Sequence, residues 1–590
     1  MVWRRWLPPL LIVAAALGYY GSYLGYWFNP HDEGGTVCLI AQRLMHGERP
    51  WVDVELGYNI GWFYPVAGLF HLTGVNYLVA RGFFFALSTL TALLGYGIIR
   101  RLGGARWLAL GVGLVLVVLP GSQFKNYIPL AGLANLAALI NLVQVDFAPR
   151  RRWFDALALG GAVLGLTTLV RVEIAIFFAV IWALLLLLLL LDKRLALAQR
   201  ATRLLIGALL LATVAVAVQV PAYLHLRKLG VEAHFLAQVP SWLQSLRSGL
   251  RDQIGAATQP APLPTVPPAP AVENASAAVA KAAPPTDRSL LLRRPLAGIW
   301  HPRTPAGYPG DRWDRAIAFL TYAPLVGFAV FFLAGLGACA RRVLRGDFFL
   351  NDHAVKWLLL VGGSLTTFPQ FFFFRPDRPH LSEFMPGYIL AIAGCVLLLW
   401  PEGEKRSRLK LLAASTFAAF FLAHLALFGL YAFRHPSAGT IAARFGRETK
   451  FAGENGVRVR DFKRQATNLA TVRDAILAHS RPGEYVICYP YMPGYNVMTN
   501  RPTYLRNVYV ENATHDSDWA AQTMRDFAEK KPAVIVIDDR AINGAAASRF
   551  SRWAAPVYDY VKIHYARVAE IKTQDTTIHV FARSFAPVTQ

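Results

Sequence analysis

Charge is scarce in this chain of 590 residues: Asp, Glu, Lys and Arg make up 16% of it, against 55% hydrophobic residues. A soluble domain carries roughly a quarter charged residues, so a soluble globular protein is excluded and a polytopic membrane protein is expected. Acids are scarcer than bases, 36 against 60, leaving a net charge of +24. That excess is no nucleic-acid footprint. The basic residues of the first 430 positions fall mostly in short clusters between apolar runs, as topology signals do. Cysteine is scarce too, with Cys38, Cys339, Cys395 and Cys488 alone. Their spacing excludes a disulfide framework and a zinc site. Cys339 and Cys395 lie in apolar runs, where a thiol behaves as a small hydrophobe; a Cys38–Cys488 bridge stays open. No dinucleotide-binding glycine motif, P-loop or nucleophile elbow stands at a suitable place.

What the chain does have is long apolar runs. Spans are expected near 7–27, 78–99, 107–121, 127–146, 154–170, 173–191, 203–225, 316–339, 355–374, 384–400 and 410–431, each close to the length a bilayer core requires. The first is read as an uncleaved signal anchor. Every second loop is basic: Arg4-Arg5, Arg100-Arg101 with Arg106, Arg150-Arg151-Arg152, Lys193-Arg194 with Arg200 and Arg203, Arg341-Arg342 with Arg345, and Lys405-Arg406 with Arg408 and Lys410. The positive-inside rule places these loops and the N-terminus in the cytoplasm. The apolar stretch 58–73 would reverse this register if it spanned. It is short and broken by Pro65 and two glycines, so it is read as an interfacial helix.

The fold class is therefore an α-helical membrane protein of about eleven spans with a soluble C-terminal α/β domain. The membrane part runs over 1–434 and the external domain over 435–590. Residues 226–315 form a long external loop whose Pro/Ala-rich middle, 259–287, is an extended linker. In the C-terminal part, Asp461–His479 and Ser517–Lys530 read as helices and Glu484–Tyr489 and Ala533–Ile537 as strands. Ala566–Ile571 and Ile578–Arg583 read as a closing hairpin.

With this topology four polar groups fall on the external side. They are Asp32 with Glu33 after the first span, Lys125, Arg171 with Glu173, and Arg375-Pro376-Asp377-Arg378-Pro379-His380. Three of them have a structural alternative. Asn29-Pro30 before two acids makes a good helix start. Arg171 can be a snorkelling arginine beside its neighbour, and Arg375 to His380 a proline-held turn. Against these stands the positive-inside bias, since external arginines need a reason. Acid and base meeting at one membrane face suit an anionic, lipid-linked substrate.

The segment His31-Asp32-Glu33-Gly34, followed by Ala41-Gln42-Arg43-Leu44-Met45-His46-Gly47 and Trp51-Val52-Asp53, resembles the first external loop of the C-type glycosyltransferases. Within that superfamily it is similar to the branch of protein O-mannosyltransferases and the lipid A aminoarabinose transferase. The resemblance implies a bundle of about a dozen helices and an inverting sugar transfer from a polyprenyl-phosphate donor to an acceptor glycan, lipid or protein. Asp32 would be the general base, with Glu33 beside it. Lys125, Arg171, Glu173, Arg375, Asp377, Arg378 and His380 would hold the donor's phosphate and sugar, and His31, Asp53 and Tyr58 would position the acceptor or the loop. Neither metal nor cofactor is implied, and the setting is a bacterial inner membrane with the site outside. One departure is Gly57-Tyr58-Asn59, standing where many relatives carry Lys-Pro-Pro, so that phosphate contact must come from elsewhere. The rival readings are a transporter or flippase of polyprenyl-linked sugars, which would favour inverted repeats with midplane charges, and a non-catalytic membrane scaffold.

Overall fold

The computed structural model describes residues 2–119, 123–145, 150–244, 312–367, 381–399, 407–434, 449–510, 518–541, 548–573 and 576–583. The Pro/Ala-rich linker 259–287 and the segment Arg375 to His380 lie outside them.

The membrane part is a helical bundle. Its elements are α1 (Val2–Leu24), α2 (Cys38–Met45), α3 (Tyr64–Thr73), α4 (Tyr77–Arg101), α5 (Arg106–Val118), α6 (Tyr127–Gln144), α7 (Arg150–Val170), α8 (Val172–Leu188), α9 (Leu197–Lys228), α10 (Arg312–Arg345), α11 (His353–Ser364), α12 (Leu381–Leu399) and α13 (Arg408–Arg434). Eight helices among the described residues are long and apolar enough to cross a membrane, and Arg106–Val118 and Glu383–Leu399 are shorter apolar helices. The chain is a multi-pass membrane protein. Each of the eleven expected spans coincides with one of these helices. The stretch 58–73 folds as a single turn, Ile60–Trp62, followed by the ten-residue α3, too short to cross.

Two spans end sooner than their apolar runs suggest. α5 stops at Val118, and its capping residue Leu119 has φ −56° and ψ 135°, the extended conformation that a following proline enforces. α11 has only 12 residues. The loop after α5 is thereby drawn into the bundle: the Asn126 amide bonds the Ser88 hydroxyl, eleven residues along α4. At 1.5 Å per residue that contact lies about 16 Å from the start of α4.

The basic loops gather at one end of the bundle. Gln144 donates to the Arg101 carbonyl, the Gly104 backbone approaches Leu397, His353 bonds the Leu398 carbonyl, and Lys193 donates to the Phe348 carbonyl. The C-terminal domain sits at the other end. Its four-stranded sheet has the order β3-β4-β6-β5, built from β3 (Val486–Tyr489), β4 (Val534–Asp538), β5 (Tyr565–Lys572) and β6 (Thr577–Arg583). β3 and β4 are parallel, and β6 is antiparallel to both neighbours. The runs Val-Ile-Cys-Tyr and Val-Ile-Val-Ile-Asp are buried throughout, as befits strands covered on both faces. The helices expected at 461–479 and 517–530 appear as Lys463–His479 and Trp519–Lys530.

A separate hairpin, β1 (Thr449–Ala452) with β2 (Arg458–Asp461), fastens the domain to the bundle. The Trp27 amide donates to the Arg460 carbonyl and the Arg460 amide to the Gly25 carbonyl, both at 2.8 Å. Tyr77 donates to Asn455 at 2.9 Å, Gly494 to Pro30 at 2.8 Å and Glu55 to Arg506 at 2.7 Å. These are main-chain bonds between segments hundreds of residues apart, so the two parts meet in a fixed register. All four cysteines are buried thiols; the Cys38–Cys488 bridge does not form.

Candidate functional site

A cavity of about 1020 Å³ lies between the end of the bundle and the C-terminal domain. Its bundle side is built by Trp27 to His31 with Thr36, Val37 and Ile40, by Glu55 to Tyr58, and by Phe124 and Lys125 from the sunken loop. Its far side comes from the helix Lys463–His479, the segment after β3, and the turn between β5 and β6.

The acidic turn adjoins this cavity. Asp32–Val37 forms a wide π-type turn that runs straight into α2. The Thr36 amide donates to the His31 carbonyl at 3.0 Å, five residues back, and the Thr36 hydroxyl reaches the same oxygen at 2.9 Å. The Asn29 side chain accepts from the His31 amide at 3.0 Å. The helix-start reading of this segment is thus realised in the backbone, in a turn type that recurs at functional sites. The side chains of Asp32 and Glu33 lie outside the described residues. Their neighbours His31, Thr36 and Val37 line the cavity. Burial, and then the Arg540 cation, push the His31 imidazole down to about 3, so it is neutral at pH 7.

Two glycines permit this arrangement. A Cβ on Gly35 would stand 2.1 Å from the Pro30 carbonyl oxygen, and one on Gly494 only 2.4 Å from the Pro30 Cα. The acidic turn and the loop after β3 therefore meet backbone to backbone.

Lys125 lies on the cavity floor, and its ammonium is 2.7 Å from a Glu383 carboxylate oxygen at the start of α12. Both side chains are under 10% exposed. Burying two ions costs several kcal/mol each, which their attraction only about offsets, so such a pair points to a role beyond stability. Arg171 and Glu173 pair at 2.5 Å beneath Tyr58. The Tyr58 ring stacks on Trp62 at 3.9 Å and 7°, and the Arg171 guanidinium stands 5.4 Å from the Tyr58 ring centre. Asn59 and Trp62 tie this segment to the end of α7 through the Thr168 and Val170 carbonyls.

Of the residues expected from sequence, His31, Tyr58 and Lys125 line one cavity, and Arg171 with Glu173 supports its wall through Tyr58. Asp53 is elsewhere: the Arg49 side chain and amide both bond its carboxylate and hold it below the usual carboxylate range. Arg375, Asp377, Arg378 and His380 lie outside the described residues. No group of His, Cys, Asp and Glu among the described residues is arranged to hold a metal ion.

No protein-family model matches the chain, and no curated protein matches it. Solved structures do. The apo crystal structure of ArnT from Cupriavidus metallidurans is similar over 98% of this chain and 98% of its own, with 13% identity and a TM-score of 0.46. The same protein bound to undecaprenyl phosphate is similar over 97% of each chain, with 13% identity and a TM-score of 0.45. The apo Archaeoglobus fulgidus oligosaccharyltransferase is similar over 99% of this chain and 75% of its own, with 12% identity and a TM-score of 0.44.

The partner of Lys125 and several cavity residues had escaped sequence reasoning. Glu383 is a lone acid at the head of an apolar run, and that isolation was its only signal. Arg464, Asn468, Asn507, Tyr509 and Arg540 come from a domain whose register against the bundle no linear pattern encodes.

Proposed function

We propose that this protein is an inverting glycosyltransferase, moving a sugar from a polyprenyl-phosphate donor to an acceptor hydroxyl at the membrane face that carries the C-terminal domain. One observation carries the reading: the acidic turn adjoins a cavity that is also lined by Lys125, whose ammonium is buried against Glu383. The resemblance of His31-Asp32-Glu33-Gly34 to the first external loop of C-type glycosyltransferases supports the same assignment. A recess at one end of the bundle suits a headgroup reaction better than passage through a midplane site.

In this mechanism the Asp32 carboxylate takes the proton of the acceptor hydroxyl. The oxygen attacks the anomeric carbon from the face opposite the phosphate, the carbon–oxygen bond to phosphate breaks, and the phosphate leaves with its electron pair. Glu33 shares or orients the base. Lys125 meets the charge developing on the phosphate, with Glu383 holding its ammonium in place. Arg171 and Glu173 steady the Tyr58 edge of the cavity, and Arg375, Asp377, Arg378 and His380 complete the contacts to phosphate and sugar. In this reading the basic end of the bundle faces the cytoplasm, as the positive-inside rule favours, and the site faces the periplasm of a bacterial inner membrane.

A positioned base contributes roughly 10²–10⁴-fold. Asp32→Asn, assayed with purified protein and radiolabelled polyprenyl-phosphate sugars over membrane lipid extracts, is expected to lose that factor. Transfer at the wild-type rate would remove Asp32 as the base.

A further inference from the structure

The far wall of the cavity differs in charge from an ordinary sugar groove. Two arginines project from it around the turn between β5 and β6. The Arg464 guanidinium donates to the Lys572 carbonyl at 3.4 Å. The Arg540 Nε stands 3.6 Å from a carboxylate oxygen of Asp538, beyond hydrogen-bond reach, with the Arg540 side chain 46% exposed. Asp538 is itself buried and accepts from the Thr576 hydroxyl. Burial raises its carboxyl, and the Arg540 charge works against that rise. Around these cations stand Gln465, Asn468, Asn507 and Tyr509, groups that donate to and accept from hydroxyls. Glu55 is the acid seen lining the cavity among the described side chains, and it is bound to Arg506 at 2.9 Å.

We infer that Arg540 and Arg464 form an anion subsite on the C-terminal domain, and that the acceptor is a polyhydroxylated molecule carrying a phosphate or carboxylate. The inference rests on the glycosyltransferase reading for the word acceptor, and the anion subsite stands apart from it. Guanidinium forks suit oxoanions because two parallel N–H groups match two oxygens. Neutral amides beside them fit the sugar's hydroxyls. The subsite lies across the cavity from Lys125, so one anion bound at the floor and another at the far wall would engage different residues. His31 lines the same cavity, and the Arg540 charge adds to burial in lowering its imidazole.

The test uses full-length protein in detergent at low ionic strength, with binding read by saturation-transfer NMR. The probes are glucose 6-phosphate, glucuronate, glucose and undecaprenyl phosphate. Wild type is expected to bind the two anionic sugars about tenfold more tightly than glucose. The double variant Arg464→Ala/Arg540→Ala is expected to lose that preference while binding undecaprenyl phosphate as before. Arg540→Lys, which keeps the charge and loses the fork, should retain part of it. Equal binding of charged and neutral sugars by wild type would overturn the inference, and so would a preference that survives the double substitution. Loss of undecaprenyl phosphate binding in the double variant would also overturn it, by assigning the arginines to the donor. Failure of wild type to bind undecaprenyl phosphate strikes the glycosyltransferase reading instead, leaving the anion subsite to be judged by the sugars.

Discussion

At the scale of single residues, the Lys125–Glu383 pair separates structural from chemical roles. Removing one partner of a buried pair strands the other charge, at a cost of about 3–5 kcal/mol. Lys125→Met is therefore expected to lower the unfolding temperature in detergent markedly, and Lys125→Met/Glu383→Gln to recover most of the loss. If Lys125 also meets the donor phosphate, the double variant recovers its stability without recovering sugar transfer. Recovery of both would make the pair a structural device. The sequence showed Lys125 because a cation stood in a loop expected to be external. It hid the partner, since nothing in the apolar run after Pro379 says that Glu383 turns toward a loop 258 residues earlier.

At the scale of elements, the acidic turn owes its position to the C-terminal domain as much as to the helix it opens. The Gly494 amide holds the Pro30 carbonyl, and the backbones touch where a side chain has no room. Gly494→Ala is expected to push the turn aside. Misplacing a catalytic group by about 1 Å costs roughly 10²-fold, whereas overpacking costs only about 1–3 kcal/mol of stability. Transfer should thus fall steeply in kcat while the protein remains folded. Gly18→Ala, at a position with nothing within 4 Å, serves as the control. Equal activity of the two variants would show that the clamp does not position the turn. Helices and strands were largely legible here. Apolar runs located a helix at each of the eleven expected spans, eight of which are long and apolar enough to cross a membrane, and the buried strands stood out by their β-branched residues. The hairpin Thr449–Ala452 with Arg458–Asp461 was missed, because its alternation is short and its ladder partner lies in the first external loop.

At the scale of the whole molecule, the two ends of the bundle differ in charge, and the proposed orientation rests on that difference. Reporter fusions after Arg345 and after Arg583 are expected to report opposite sides, the first cytoplasmic and the second external. A shared side would break the assigned register. The cavity between bundle and domain was the least legible feature, because it depends on two parts of the chain meeting at one angle, and only main-chain bonds across the junction set that angle. The early end of α5 has its own consequence. Because the following loop dips to Ser88, the proposed reaction would meet a carrier's headgroup within the end of the bundle. The proposal then needs no extraction of the prenyl tail into water, at about 0.8 kcal/mol for every methylene.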